Sequence, residues 1–546
     1  KILAILYPLL SFITSRWRGI VNVSTARNQV RGGSLDYNDF APLAPQILFP
    51  KNWDKMKKGQ KRAIILMDRF SEYHGGYLEQ VALEVYGVAV VNVLSTYLWG
   101  YFLQQYPHLE EPKSMRVPPT DELLNAWQKR LREEGINRIE AVICESDSGL
   151  AEAEKLASEL GVTKSNGINE ARRDKYLMNE VIREKAPNLK VVKQKLCRTV
   201  EEALEFVKND LRVKFSEKSV GLPESTVKTS EEQESGLIGR GQHYYFGGLA
   251  NSVCIVKPKR GAASDSVFLV TSVDEMKEAF AEIIGSTVLG EIKQSHDAVL
   301  VQEFVTGTEY AVDIVSKNGQ HKVAALWKYD KRPANGRAFV YHATELISTF
   351  APNEEAVCDY ATSVLDALDL KWGLTHTEII IGEDGISRLV EVNCRQHNMD
   401  FTPITMACIG YNSLDMLLAA YLGNPNLSTA DDSSSANLDW NLLPDRPVTR
   451  AFGAMVHLVN HAKGELVGVD EEALREIRAL DSTLDMEVYE SFLIVGNQIE
   501  PTVDIKTDAG WVQLIHDDAK TFVKDYQRIL ELMPTLFSCR QSMSSP

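Results

Sequence analysis

Hydrophobic and polar positions alternate most regularly between Trp372 and Arg395, in the segment WGLTHTEIIIGEDGISRLVEVNCR. The alternation predicts a strand over 374–381 and a second over 387–393, joined by the turn residues Gly382, Glu383, Asp384 and Gly385. A buried strand is predicted over 62–67 and further strands over 88–93 and 138–144. Between them a helical pattern follows Gly75-Gly76 as far as Tyr86, and another runs to Glu134 with Thr120 as its cap and Gly135 as its stop. Strand, helix and strand in alternation imply a parallel sheet with helices on both faces. Further strands are predicted over 253–258, 267–270 and 299–314, the last broken at Thr306-Gly307-Thr308. Helices are predicted from Arg172 to near Lys185 and over 151–160, 200–209, 354–368 and 409–422. Asp147 or Ser148 is the expected cap of the 151–160 helix, and Asn353 that of the 354–368 helix. Residues 211–250 are rich in Ser, Glu, Lys and Gly and read as an insertion, ending in GRGQHYYFGG, a candidate cover for a site. A Ser/Asp/Asn/Pro-rich linker at 427–447 precedes strands at 451–459 and 486–495 and helices at 471–479 and 517–532, a smaller α+β unit.

Chemistry enters at the 374–393 hairpin. Residues two apart on a strand point the same way, so Glu391 and Asn393 share a face, with Glu378 on the adjacent strand. Burying two carboxylates among Val, Leu and Ile is costly unless a cation compensates. Oxygen-only ligands select hard ions, magnesium or manganese and not zinc. The plainer alternative is a half-exposed hairpin with solvated acids. Lys257 ends a strand beside Gly261, Ala262, Ala263, Ser264 and Ser266. A small-residue loop and a point charge suit a nucleotide phosphate, although the Gly-Lys-Ser/Thr ending of a Walker loop is absent. An ordinary edge lysine is the alternative. The strand end Gln302, Glu303, Phe304, Val305 can offer backbone groups to an adenine edge, and Glu309 can accept from ribose hydroxyls. Within 322–349, two strands are expected to flank a cationic segment from Lys328 to Arg337 that includes Lys331 and Arg332, with His342 beyond it. Cations there would neutralise charge at a phosphate site, or form a solvated basic hairpin. Glu145 follows the 138–144 strand, where open α/β sheets bind ligands.

The ordered set Lys175, Lys257, Gln302-Glu303-Phe304-Val305, Glu309, Glu378, Glu391-x-Asn393-x-Arg395 resembles the ATP-grasp superfamily over roughly 160–430. It looks most like the branch of carboxylate–amine ligases that includes L-amino acid ligases and carnosine synthase. The resemblance implies an α/β and α+β multidomain chain: a pre-ATP-grasp α/β domain, a two-lobed ATP-grasp core and a C-terminal α+β subdomain. The corresponding divisions are an extension at 1–58, then 59–165, 166–430 carrying the 211–250 insertion, and 431–546. It implies ATP and Mg2+, with Mn2+ as a substitute, as cofactors. The implied reaction phosphorylates a carboxylate and lets an amine attack the acyl phosphate, releasing ADP and phosphate. By the same resemblance Lys175 and Lys257 hold phosphates, Glu378, Glu391 and Asn393 hold the metal, and Arg395 stabilises charge on the transferred group. His342 matches, within a residue of spacing, a histidine near the acyl-acceptor pocket. Glu145 would take a substrate ammonium and Lys328, Arg332 and Arg337 a carboxylate. His397 stands where glycines often follow, and so falls in the acceptor pocket. An ATP-grasp carboxylase, a kinase-like enzyme and a non-catalytic ATP-binding protein remain as alternatives.

Composition narrows this picture. The 546 residues leave room for about three or four domains. A net charge of −16 argues against a nucleic-acid surface, which needs basic patches, but not against ATP. No GxGxxG supports a dinucleotide site. The seven cysteines show no paired spacing and read as reduced thiols. Cys394, between Asn393 and Arg395, points the other way and is expected to pack. The apolar run from Ile2 to Ile13, broken by Pro8, is too short to span a membrane. It reads as a targeting remnant or as an extension packed on the body, so the expected location is the cytoplasm or an organelle, with membrane contact confined to that segment. The expected partners are a small carboxylate and an amine, amino acids by charge; a homo-oligomer is compatible with the sequence.

Overall fold

A computed structural model describes residues 46–69, 71–105, 121–215, 226–228, 237–238, 243–245, 252–261, 266–291, 293–424 and 438–540. The apolar N-terminal run, Thr120, most of the 239–248 segment, Ala262 to Ser264 and the first part of the 427–447 linker lie outside these residues.

The chain builds around three principal sheets. In the first, Arg62–Met67, Ala89–Val93 and Arg138–Cys144 run parallel, with Gln46–Leu48 antiparallel at the edge. Both faces are covered, which is why these strands are nearly unbroken apolar runs. Tyr77–Glu84 packs on one side, and Asp121–Glu133 with Leu150–Glu159 on the other. The second sheet is antiparallel, in the order Gln194–Cys197, Val299–Glu303, Cys254–Lys257, Phe268–Val270. Val200–Asn209 and Val273–Ile283 close its outer face through Ala203, Phe206, Met276 and Phe280. The third sheet has eight antiparallel strands, beginning Ser387–Asn393, Trp372–Gly382, Gly307–Lys317, Gln320–Ala334, Arg337–Leu346. It then continues into Phe452–His457, Gly510–His516 and Thr483–Val488. Lys175–Lys185 and Pro352–Ala367 cover one face of its first half. The α/β and α+β multidomain class expected of the sequence is thus the class observed.

The strand Gly307–Lys317 starts against its neighbour so closely that a Cβ on Gly307 would lie 1.9 Å from the Ile381 carbonyl oxygen. Only glycine permits that approach.

Several local expectations are corrected. Lys328, Lys331 and Arg332 are not in a connecting segment. They lie within the long strand Gln320–Ala334, and the turn is Asn335-Gly336, both at positive φ. Asn353 does not cap its helix, which begins at Pro352 after Ala351 without a side-chain cap. Proline at the first helical turn has no N–H to satisfy, so a cap matters less there. Neither Asp147 nor Ser148 caps the helix Leu150–Glu159; its N-cap is Gly149, whose N–H is taken by Ser146 Oγ at 2.8 Å. The 409–422 prediction covers only the second of two helices, Thr402–Cys408 and Ser413–Leu422, the latter capped by Asn412. In the 211–250 stretch, 226–228 and 243–245 pair antiparallel. C-terminal strands are not a separate sheet: three extend the eight-stranded sheet, while Gly464–Val469, Gln498–Ile499 and Phe537–Arg540 form a small sheet of their own. Cys394 packs against the core of the third sheet, as expected.

Candidate active site

Ladder register brings the acids together. Glu378 and Glu391 are direct Cα partners, and His376 is the partner of Asn393. Like charges directly opposite one another destabilise a sheet unless they are compensated. Here each acid has its own cation. Lys175 Nζ lies 2.7 Å from Glu391 Oε2, and His376 Nε2 lies 3.2 Å from Glu378 Oε1. Asn393 Nδ2 donates to Glu391 Oε1 at 3.0 Å. Burial alone would push the Glu378 carboxyl up, but the His376 hydrogen bond and charge, with Lys331, hold it well below the usual carboxylate range. His376 in turn is raised to about 9: desolvation opposes this, and the bonds to Asp313 and Glu378 overcome it.

These acids sit at one end of a cavity of about 310 Å³ between the second and third sheets. The walls include Lys175, Lys257, Lys328 and Lys331. Lys175 is the first residue of its helix, fixed there by Asp174, whose carboxylate accepts from the Tyr176 and Leu177 amides. Its ammonium also donates to the Gly261 carbonyl at 2.9 Å. Lys257 is 5% exposed, and its ammonium has no hydrogen-bond or ion-pair partner among the described residues. Desolvation, then the charge of Lys175, lowers its pKa to about 8. An ammonium left so poorly compensated at a cavity wall is suited to an incoming anion. Lys331 pairs with Glu309 at 2.7 Å and lies over the rings of Tyr329 and Tyr341, at 4.7 and 4.4 Å.

The other end of the cavity is apolar, walled by Val192, Ile238, Ile255, Val267 and Phe304, with the Phe304 ring 6.0 Å from that of Phe339. Gln302 and Glu303 are the last residues paired in their strand. Gln302 Nε2 donates to Gln194 Oε1, and Glu303 accepts from the Lys193 amide. Phe304 and Val305 follow outside the ladder. An apolar slot bordered by a strand end suits a planar heterocycle with a polar edge.

The cavity therefore gathers Lys175, Lys257, Gln302, Glu303, Phe304, Val305, Glu309, Lys328, Glu378 and Glu391. Glu309 lies between Lys331 and the acids, with burial the main cause of its raised pKa. Asn393 opens on a small adjoining cavity shared with Asp147, Lys175 and Glu391. Arg395 is not a wall of the main cavity. Its guanidinium is held by Asp147 at 2.7 Å and the Gln396 carbonyl at 2.8 Å. Glu145 is buried, accepts from Ser71 Oγ at 3.1 Å, and is pushed up to about 8 mainly by desolvation. His342 faces the Val340 carbonyl and is lowered to about 4 by burial. Arg332 turns to Asp330 and Tyr526, and Arg337 is exposed at the start of its strand. His397 packs behind Glu378, its ring 3.9 Å from that of His376. Sequence reasoning named Lys331 only as one of a cationic group and Asp147 only as a helix cap, and passed over Tyr329, Asp313 and His376, which nothing along the chain marked.

Residues 250–402 match the ATP-grasp domain family. The chain is 23% identical over 364 residues to dapdiamide A synthase of Enterobacter agglomerans, covering 66% of this chain and 74% of that one. It is 27% identical over 263 residues to carnosine synthase 1 of Homo sapiens, covering 45% of this chain but only 28% of that longer protein. Its fold is similar to that of the L-amino acid ligase from Bacillus licheniformis, with a TM-score of 0.56 at 14% identity, covering 88% of this chain and 99% of that one. At that identity the likeness is one of fold. Residues 250–402 are thus similar to an ATP-grasp domain.

Proposed function

We propose that the protein is an ADP-forming carbon–nitrogen ligase that joins a small carboxylate to an amine through an acyl phosphate. The observation that carries this reading is the pairing of two half-buried acids, opposite on a ladder, with four lysines around one cavity that ends in an apolar slot. The slot takes adenine, Glu309 the ribose, and Lys175 and Lys257 the phosphates. Two carboxylates and an amide oxygen are a hard donor set, and a divalent cation would relieve the repulsion between Glu378 and Glu391, so the residues fit magnesium. When bound, magnesium supplies charge neutralisation on the β- and γ-phosphates. The lysines orient ATP so that a carboxylate oxygen can reach the γ-phosphorus in line. The bond from that phosphorus to the bridging oxygen breaks and ADP leaves. Arg395, steadied by Asp147, steadies negative charge beside the acids. The amine nitrogen then attacks the acyl carbon and loses a proton, and phosphate departs with one former carboxylate oxygen. Apolar walls keep water from the acyl phosphate. Dapdiamide A synthase, carnosine synthase 1 and L-amino acid ligase support amino acids or similar small molecules as both substrates. His342, Arg332 and Arg337 do not line this cavity and have no part in this reading.

Oxygen-labelled carboxylate tests the proposal. Turnover that needs an amine and moves one label into inorganic phosphate is expected. Unlabelled phosphate, or ADP release indifferent to every amine offered, would overturn it in favour of a carboxylase or kinase.

A further inference from the structure

We propose that His376, anchored by Asp313, is a positioning residue that fixes the carboxylate of Glu378 for its cation, a reading that rests on Glu378 being a metal acid. Asp313 and His376 are Cα partners on adjacent strands of the eight-stranded sheet. His376 Nδ1 lies 3.0 Å from Asp313 Oδ1, and Nε2 lies 3.2 Å from Glu378 Oε1. The His376 ring thus bridges two acids, Asp313 buried and Glu378 partly buried.

The geometry is directional. Glu378 is two residues from His376 on the same strand, so both side chains leave the same face. The Tyr329 hydroxyl lies 3.3 Å from the same oxygen, Glu378 Oε1. Both contacts therefore fall on one oxygen, which leaves Oε2 for a ligand in the cavity that Glu378 lines. Asp313 is itself fixed, because Trp327 Nε1 donates to its Oδ2 at 2.7 Å. The ring of His397 lies 3.9 Å from that of His376 and has Phe401 against it at 4.2 Å, closing the network away from the cavity. Asp313, His376 and His397 are close enough together to suggest a metal site of their own. The bonds count against it: Asp313 Oδ2 is occupied by the indole N–H, and both nitrogens of His376 are spent on carboxylates. Their chemistry is that of a support for Glu378. Groups that orient a metal ligand from behind typically matter tenfold to a hundredfold in metal affinity.

The experiment counts bound Mn2+ by electron paramagnetic resonance in the presence of a non-hydrolysable ATP analogue, and follows ADP release against magnesium concentration. His376→Asn and Asp313→Asn are expected to weaken Mn2+ binding roughly tenfold to a hundredfold. Their turnover should be recovered in part at high magnesium. In His376→Gly, added imidazole should restore Mn2+ affinity, a rescue that a merely structural role would not give. Folded His376→Asn and Asp313→Asn proteins with unchanged Mn2+ affinity would overturn the proposal. If they fail to fold, Tyr329→Phe, which removes the second bond to Oε1, must weaken Mn2+ binding; unchanged affinity there overturns it as well. Glu378→Gln separates the two readings. Normal Mn2+ binding in that variant sinks the metal assignment and this inference with it. Lost binding in Glu378→Gln beside normal binding in the His376 and Asp313 variants sinks only the inference.

Discussion

Replacing Lys257 with Met should stabilise the protein without nucleotide and weaken its hold on ATP. The ammonium is buried with no acid paired to it, and its pKa falls from 10.5 to about 8, by desolvation first and the charge of Lys175 second. A shift of that size corresponds to about 3 kcal/mol of penalty on the charged form. At pH 7 the lysine is protonated in both folded and unfolded chains, so the whole penalty is present. As pH rises through 8 the folded protein loses this proton first, and the penalty fades until it is gone above 10.5. Methionine keeps the length of the stem and removes the charge. The variant should therefore gain up to about 3 kcal/mol near pH 7, and the difference from wild type should shrink between pH 8 and 10.5. Binding moves the other way. A charge-assisted hydrogen bond to phosphate contributes about 1.5 to 3 kcal/mol, so affinity for an ATP analogue should fall roughly tenfold to a hundredfold. Phosphate beside Lys257 also restores its ordinary pKa. Wild-type protein should thus take up roughly three-quarters of a proton per analogue bound at about pH 8.5, and the variant none. Calorimetric titration in two buffers of different ionisation enthalpy reads the proton, and thermal melting without nucleotide reads the stability. A lower melting temperature for Lys257→Met, together with no proton uptake by the wild type, would refute the reasoning.

Glu378→Gln and Glu391→Gln should each cut ATP turnover at least roughly tenfold to a hundredfold with circular dichroism unchanged, as expected for lost metal ligands; near-normal ADP release from both would count against the site. Glu345 accepts from the consecutive amides of Leu237 and Ile238, the latter a wall of the cavity. Glu345→Ala strands those amides at a cost of about 1–3 kcal/mol and should speed proteolytic cleavage within 211–250; an unchanged cleavage rate would dismiss the anchor. Burial pushes the Glu345 carboxyl up to about 7 from 4.5. In that window the folded chain keeps a proton the unfolded chain has lost, so this group's contribution to stability falls as pH rises. Glu345→Gln should flatten that dependence in a melting series across pH.

Much of the site was legible along the chain. Alternation placed Glu391 and Asn393 on one face and bounded their strand at Ser387–Asn393, as observed. The apolar runs at 62–67 and 138–144 were read with the bounds the fold shows, because strands buried on both faces need no polar positions. The ordered lysines and acids resembled an ATP-grasp core, and residues 250–402, which hold all of them but Lys175, match that domain family. These features are local or follow chain order. A strand's own period decides which residues share a face, and a side chain at a strand end declares itself by its neighbours.

Register and partner choice lie beyond that information. Nothing in WGLTHTEIII says that His376 will meet Asp313, because the pair exists only once the strands Gly307–Lys317 and Trp372–Gly382 align. Asp147 looked like a helix cap until Arg395, far along the chain, took its carboxylate. Lys328, Lys331 and Arg332 were read as one cationic group, but the pleat and a register shift send them to different partners: Lys331 to Glu309 and Arg332 to Asp330. The sequence by itself determined the elements, the chemistry available on each and the class of domain. Tertiary structure alone decided which charges would neutralise one another, since the energy of a buried ion pair depends on distance and solvent exclusion, and neither is a property of a residue's place in the chain.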